Sequence, residues 1–203
     1  MENLNLINWF LKHVPLNAIV GTGFLFLVGC AGSHMVDVPD SKLRSTPKPT
    51  EAMVTFIRPT SMYASFSSSV FDITDGTPKL IGILARWKKI GYPVKPGKYR
   101  FMVAARGRAA GFISADLARG KSYYVRVTPS FWAGEFSLEP YRRAELDTSS
   151  FSDDFKNATW VAKTPDAEKW AVNNATSIRE KLSRLPEWLQ KADRQSLRPE
   201  DGK

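Results

Sequence analysis

The chain has very little of the side-chain chemistry on which most enzymes depend, with one cysteine and two histidines among 203 residues. The single cysteine, Cys30, excludes an internal disulfide bond. Both histidines, His13 and His34, precede the region whose patterns predict a folded domain. We therefore expect no Ser-His or Cys-His catalytic pair in that domain, and no zinc site, which takes several His or Cys ligands. The sequence predicts a protein without catalytic residues, metal or cofactor.

A long apolar run is also missing. The apolar stretch near the beginning covers residues 14–28 and is interrupted by Pro15, Asn17 and the Gly21-Thr22-Gly23 segment. A membrane-spanning helix needs roughly 20 apolar residues, so an uncleaved anchor is the weaker interpretation. A basic residue, then an apolar stretch, then small residues is the order of an export signal. We expect residues 1–29 to be a signal peptide.

The end of this stretch, Leu27-Val28-Gly29-Cys30, resembles the bacterial lipobox. That resemblance implies cleavage before Cys30 and acylation of Cys30. Two or more acyl chains hold a protein stably on a membrane without spanning it. In lipoproteins of the enteric type an aspartate after the cysteine favours the inner membrane. Ala31 therefore implies a lipid-anchored protein of the bacterial cell envelope, on the outer membrane and facing the periplasm.

The charge balance is strongly basic, with a formal net charge of +9. Such a protein is attracted to anionic surfaces, and for an exported protein these are phospholipid headgroups, lipopolysaccharide or acidic polymers. We do not expect nucleic acid, because an exported protein rarely meets it. The alternative is a basic protein whose charge has no specific partner.

Changes in composition divide the chain into six segments. The Ser-, Pro- and Lys-rich stretch before residue 51 is typical of a flexible tether, and the Ser- and Asp-rich stretch after residue 146 is typical of a loop. The predicted segments are a signal peptide over 1–29, a lipidated start and tether over 30–50, a β-domain over 51–145, a loop over 146–163, a helical extension over 164–193 and a frayed tail over 194–203.

Between residues 51 and 145, apolar and polar residues alternate in short runs separated by Gly and Pro. Ala52, Val54 and Phe56 form one such run, and a Pro96-Gly97 turn introduces another. Alternation with a period of two indicates strands with one buried face and one wet face. The regular spacing predicts a mainly β fold, an antiparallel β-sandwich of seven to eight strands.

After residue 163 the periodicity becomes helical. Thr164-Pro165-Asp166 is a typical helix start, with a capping hydroxyl, a proline at the first helical position and an acid. Apolar residues then recur at helical spacing, and Pro186 begins a second short helix that carries Trp188 and Leu189. We expect these helices to pack on the β-domain, with docking on a partner or a membrane as the alternative.

The order of the strand motifs resembles a family of bacterial lipoproteins whose shared domain has no assigned activity. The matching segments are an Arg-Pro that ends a strand at residues 56–59, Ile81-Gly82, a Pro-Gly-Lys turn into an aromatic strand at residues 96–101, and Gly-Lys-Ser-Tyr-Tyr-Val-Arg-Val at residues 120–127. The resemblance covers about half of the chain after the signal. It implies a small β-sandwich of the transthyretin or carboxypeptidase-regulatory type and no catalytic residues.

The candidate binding surface consists of Lys98, Arg100, Tyr124 and Arg126. In their strands these residues alternate with apolar residues, so we expect their side chains on the wet faces. If the two strands are neighbours, the four side chains form one basic patch that suits phosphate or carboxylate groups. The alternative is a charged face that only prevents sheet edges from aggregating. A second basic-aromatic cluster is the run Arg86-Trp87-Lys88-Lys89.

Three hypotheses for function follow. The first is a non-enzymatic, membrane-anchored binding module for a partner protein or an anionic lipid or polymer of the envelope. The second is an accessory or structural subunit that docks through its C-terminal helices. The third is a hydrolase of envelope polymers, which the lack of histidines in the folded region disfavours.

Overall fold

Eleven β-strands form the framework of the described part of the chain, which in this computed structural model comprises residues 34–40, 46–59, 66–107, 109–129, 136–192 and 194–203. These residues belong to one unit, residues 32–203. The predicted signal peptide and Cys30 lie outside the described residues. The strands are β1 (Met35–Asp37), β2 (Ala52–Arg58), β3 (Ser68–Asp72), β4 (Lys79–Leu84), β5 (Lys88–Val94), β6 (Gly97–Ala104), β7 (Gly111–Leu117), β8 (Ser122–Pro129), β9 (Phe136–Pro140), β10 (Thr159–Lys163) and β11 (Ser196–Leu197).

The strands form two sheets that share one apolar core. The six-stranded sheet has the order β1-β10-β5-β2-β8-β9, and the five-stranded sheet has the order β11-β7-β6-β3-β4. Phe56 and Val125 from the first sheet and Phe101 and Ile113 from the second belong to the same buried cluster. The alternation in the sequence therefore identified the core-facing side chains correctly, and the prediction of a mainly β fold is confirmed.

The prediction that the sheets are purely antiparallel is wrong, because both sheets are mixed. β2 pairs with β8 in parallel, β5 pairs with β10 in parallel, and β7 pairs with β11 in parallel. The chain leaves β2 for the other sheet, returns beside it as β5, crosses again, and returns on the opposite side of β2 as β8. Alternation reports which face a side chain takes, and it carries no information on strand direction.

The tether and the tail predicted at the two ends differ from the structure. Met35–Asp37 forms β1, an edge strand that pairs antiparallel with β10. Residues 195–203 lie against the domain as the short strand β11 followed by a 3₁₀ turn, Pro199–Asp201. Asp201 is only 5% exposed because its carboxylate pairs with Arg142 at 2.8 Å, so this segment is held in place and not frayed.

The stretch 146–163, predicted as a loop, contains a helix and a strand. Helix α1 (Ser149–Asn157) begins after Thr148, whose hydroxyl oxygen accepts a hydrogen bond from the Phe151 backbone N–H at 3.3 Å. Phe151 and Phe155, one helical turn apart, pack on the outer face of the six-stranded sheet. The Ser and Asp residues that suggested a loop occupy the other positions of this helix.

The predicted C-terminal helices pack on the outer face of the five-stranded sheet. They are α2 (Pro165–Asn173), α3 (Ala175–Leu182) and α4 (Leu185–Gln190). Pro165 occupies the start of α2 as expected, although the Thr164 hydroxyl makes no capping hydrogen bond. Ala167 and Ile178 are buried together with Met102 and Phe112 of the sheet. The apolar stripe of these helices therefore completes a second core.

Candidate functional site

The four residues of the predicted surface lie on different sheets and do not form one patch. Lys98 and Arg100 lie on β6 in the five-stranded sheet, whereas Tyr124 and Arg126 lie on β8 in the six-stranded sheet. The residues between them on each strand, such as Phe101 and Val125, fill the shared core. Because alternate side chains point to opposite faces of a strand, the two pairs lie on the two outer faces of the fold.

Tyr124 and Arg126 are covered by α1. The Tyr124 ring contacts Phe151 edge-on, with ring centroids 4.9 Å apart. The Arg126 guanidinium lies 4.2 Å from the centre of the Tyr141 ring, donates to the Tyr141 hydroxyl oxygen at 3.1 Å and approaches the Asp154 carboxylate at 3.5 Å. Partners within the chain therefore already engage this arginine.

Tyr141 completes a hydrogen-bond network with Arg126 and Asp154. Its hydroxyl donates to the Asp154 carboxylate at 2.7 Å. Burial of the ring raises the pKa of Tyr141 above its ordinary value, and the hydrogen bond to Asp154 raises that pKa further. Asp154 is thus a partner of both Arg126 and Tyr141. The network is suited to fixing α1 on the sheet.

The second predicted cluster, Arg86 to Lys89, is also divided by the fold. Lys89 is buried, donates to the Phe155 carbonyl oxygen at 2.6 Å and lies 4.0 Å from the centre of the Phe155 ring. Its burial lowers the pKa of Lys89. Lys88 forms an ion pair with Asp37 of β1 at 2.7 Å. Arg86 and Trp87 are left at the surface.

Lys98 and Arg100, in contrast, line an open cleft. Helices α2 to α4 cover Met102 and Phe112 but do not extend over the other end of the same sheet face. There the strand register places Lys98 opposite Asp116 and Arg100 opposite Ser114. The cleft has a volume of about 590 Å³. Arg100 donates to the Thr74 carbonyl oxygen at 3.3 Å, which orients its guanidinium at the wall.

The segment 195–203, which we call the strap, borders the cleft at the edge of the same sheet, where β11 pairs with β7. The strap adds Ser196, Arg198 and Glu200 to the lining. One Arg142 amino group donates both to the Ser196 carbonyl oxygen and to the Asp201 carboxylate, each at 2.8 Å. Sequence reasoning missed these lining residues, because what holds the strap is a contact with a residue far away in the chain.

The strap is also fixed at its far end. Lys203 and Ser122 exchange backbone hydrogen bonds of 2.8 and 3.0 Å. Gly202 lies against the Tyr123 ring so closely that an added β-carbon would be 2.7 Å from a ring atom. The Pro199 carbonyl oxygen accepts from the Lys121 ammonium group at 2.9 Å. The wall of the cleft is thus anchored on both sides of Arg198 and Glu200.

Charge is the main chemical property of the cleft. Three cations, Lys98, Arg100 and Arg198, line it together with two carboxylates, Asp116 and Glu200. Hydroxyl groups of Thr74, Ser114 and Ser196 are interspersed among them. Within the described part of the chain, none of the three cations forms an ion pair. The arrangement can bind an anionic group through charge-assisted hydrogen bonds from the cations.

Two further findings concern metals and membranes. The described residues contain no group of three or more His, Cys, Asp or Glu side chains placed to hold a metal ion. In the same residues, no helix combines the length and apolarity that crossing a membrane requires.

Comparisons with known proteins identify no family for this chain. No family model matches this chain, and no curated protein matches it. It is similar to the NMR structure of a protein from Eubacterium rectale, with 15% sequence identity and a TM-score of 0.28. That match covers 51% of this chain and 93% of the other chain. A similarity at this level supports no argument about fold or function.

Proposed function

We propose that this protein is a lipid-anchored, non-enzymatic binding module of the bacterial cell envelope, built on a β-sandwich. Its binding site in this proposal is the cleft between β6, β7 and the strap. The observation that carries the proposal is that Lys98, Arg100 and Arg198 line one cleft while none of them forms an ion pair in the described residues. A cation that already has an acidic partner, such as Arg126 with Asp154, is less available to bind an anionic ligand.

The cleft suits a ligand with a carboxylate or phosphate group and neighbouring hydroxyls. An arginine presents five N–H donors in a fixed plane, and Arg100 uses its guanidinium on only one described acceptor, the Thr74 carbonyl. The Ser114 and Ser196 hydroxyls can donate to or accept from the polar groups around such an anion. The Thr74 hydroxyl is already engaged, since it donates to the Asp72 carboxylate at 2.5 Å. Asp116 and Glu200 favour ligands that also carry hydroxyl or amino donors. Acidic polymers and lipid headgroups of the envelope have this chemistry.

The proposed location rests on the lipobox at Leu27 to Cys30 and on the family resemblance in the strands. An acylated Cys30 would hold the domain at a membrane surface, and Ala31 favours the outer membrane on its periplasmic side. The test is mass spectrometry of the N-terminus of protein purified from its own membranes. A protein that still carries residues 1–29 and no acyl chain would overturn the lipoprotein proposal.

The binding proposal is tested with two soluble probes, glycerol phosphate and an acidic muropeptide. Their affinities for the full chain are measured by calorimetry, together with the double variant R100Q/R198Q. Each charge-assisted hydrogen bond contributes about 1.5–3 kcal/mol, so the double variant should lose roughly a hundredfold or more in affinity. The control R86Q/R119Q makes the same charge change on exposed arginines outside the cleft and should bind normally. Equal losses of affinity in both double variants would mean that the net charge of the protein, and not the cleft, determines binding.

The hydrolase alternative can be examined in the same experiment, because two carboxylates line the cleft. Incubation with the muropeptide should leave it intact. Turnover that disappears in D116N or E200Q would replace the binding module by an enzyme, since paired carboxylates can provide acid and base in glycoside hydrolysis.

The accessory-subunit alternative is favoured by one observation on the helices. Val172 on α2 is 74% exposed and borders a groove of about 490 Å³ between α2, α3 and β4. Removal of residues 164–203 would be an unsuitable test, because these residues cover the second core and supply the strap. V172D is the sharper variant, with N173D beside it as a control. Loss of a cross-linked envelope protein in V172D alone would support the subunit.

A further inference from the structure

Trp87 has an unusual backbone conformation at the connection between β4 and β5. Among the described residues it is the one non-glycine residue with a positive φ, at 55°. Large L-residues avoid this left-handed region, and when it occurs the surrounding structure must impose it. Here the Trp87 N–H donates to the Arg58 carbonyl oxygen at 2.8 Å, and the Trp87 carbonyl oxygen accepts from the Thr159 N–H at 2.9 Å.

These two hydrogen bonds fix where the Trp87 side chain leaves the fold. Trp87 is 37% exposed, although an indole is large enough to contribute much to a core. A turn that only connected β4 to β5 would be less strained with glycine at this position. The strained and partly exposed tryptophan therefore indicates a side chain that acts at the surface.

The neighbouring connections carry the same chemistry. Phe66, at the entry to β3, is also 37% exposed. The start of β3 lies between the ends of β4 and β6, since Ser68 pairs with Leu84 and Ser69 pairs with Ala104. Arg86 and Arg106 follow those two strand ends in turns at the same end of the sheet. Both arginines are exposed. The described residues of these connections, 66–67, 85–87, 105–107 and 109–110, contain no acid.

Exposed aromatic rings beside arginines are typical of protein surfaces that lie in the headgroup layer of a bilayer. Tryptophan and phenylalanine place their rings at the boundary between headgroups and acyl chains, and arginine reaches the lipid phosphates. Anionic lipids attract such basic residues within a Debye length of the surface. We propose that this end of the two sheets, with Phe66, Arg86, Trp87 and Arg106, binds the surface of an anionic phospholipid bilayer.

This proposal concerns a different surface from the cleft and does not depend on acylation of Cys30. If that lipid anchor is present, it would hold the domain close to the bilayer and raise the effective concentration of this end at the lipid surface. The proposed contact would then orient the domain on its membrane.

The test uses the full chain in vesicles of phosphatidylethanolamine and phosphatidylglycerol that contain a lipid brominated in the upper part of its acyl chain. Bromine quenches tryptophan fluorescence on close approach. The chain has six tryptophans, so Trp87 is assigned by difference, with W87F against the unchanged protein. W170F, which removes a ring packed between α2 and the sheet, is the matched control. W87F should remove a quenched component that W170F retains.

The charge contribution is tested with R86Q/R106Q in the same vesicles. Each arginine should change the ratio of contacting to non-contacting protein by about fivefold, so quenching of Trp87 should fall. Replacement of phosphatidylglycerol by phosphatidylcholine should have the same effect. The cleft variant R100Q/R198Q should leave quenching unchanged, which separates this proposal from the proposed function. Quenching that is identical in W87F and the unchanged protein would overturn it, and so would equal quenching in neutral vesicles.

Discussion

The outer faces of the two sheets have the same alternating strand pattern, but a helix covers the charged residues on one face, whereas those on the other face lie open. On β6, Lys98 and Arg100 alternate with core residues, and on β8, Tyr124 and Arg126 do the same. Helix α1 covers the second pair and supplies Asp154 to the arginine, whereas α2 to α4 leave the first pair open. An outward-facing arginine on a strand is therefore structural or available depending on which element packs over it.

The largest expected loss of stability comes from truncating Phe155, which packs on the covered face. Its ring contacts Tyr124 and Trp160 with centroid distances of 5.7 and 5.8 Å, and Lys89 lies over it. F155A should lower the free energy of unfolding by about 3 kcal/mol, because truncating a packed phenylalanine leaves a cavity. Urea denaturation of the full chain measures this loss.

The matched change on the helices of the other face is L189A. Leu189 is 38% exposed on α4, so its truncation should cost less than about 1 kcal/mol. Comparable losses in the two variants would mean that α1 is no more firmly packed than the end of α4, and the contrast between the faces would not hold.

The next effect separates the two arginines directly. R126A removes the donor to Tyr141 and the partner of Asp154, and it should cost about 2 kcal/mol of unfolding free energy. R100A on the open face should stay within about 0.5 kcal/mol, since a surface substitution of this kind removes little. Chemical denaturation of both variants under one set of conditions gives the comparison. A larger loss of unfolding free energy for R100A would mean that Arg100, like Arg126, stabilises the fold.

The sequence predicts the interior of this fold better than its edges. Runs such as Ala52 to Phe56 and Tyr123 to Val127 alternate strongly enough to identify core strands. Alternation does not predict β5, because Lys88 and Lys89 begin it and Gly91 and Pro93 weaken its strand signal. Pro93 is tolerated because it lies beyond the part of β5 that pairs with β10, which ends at Lys89.

The candidate site was predictable only on one wall. Alternation places Lys98 and Arg100 on an outer face, and that placement follows from the strand alone. Arg198 joins them because Arg142 holds Asp201 across 59 positions of sequence. No local pattern reports such a contact. For the same reason the sequence could not show that Asp154 of α1 would engage Arg126.

The smallest expected effect is a change in how the stability of the protein depends on pH, and it concerns Tyr141 on the covered face. The Tyr141 hydroxyl lies in the covered network, and Y141F should cost about 1 kcal/mol at neutral pH, the value of a typical lost hydrogen bond. Because burial and the bond to Asp154 raise the pKa of Tyr141, the folded protein keeps this proton at pH values where the unfolded chain has lost it. The stabilising contribution is therefore complete below about pH 10, the pKa of an unperturbed tyrosine, and declines as the pH rises above it.

Above that pH, the unchanged protein should lose stability more steeply than Y141F, by up to about 1.4 kcal/mol per pH unit. Y99F is the comparison on the open side, because Tyr99 lines the cleft. Burial raises the pKa of Tyr99 as well, and the nearby charge of Asp72 adds to that rise. Among the described residues, however, Tyr99 forms no hydrogen bond to a carboxylate, so Y99F should flatten the alkaline decline less. Denaturation midpoints measured between neutral pH and the alkaline limit of folding test this. If the two variants flattened the decline equally, the Asp154 network would add nothing to burial, and the covered face would differ from the open one in packing alone.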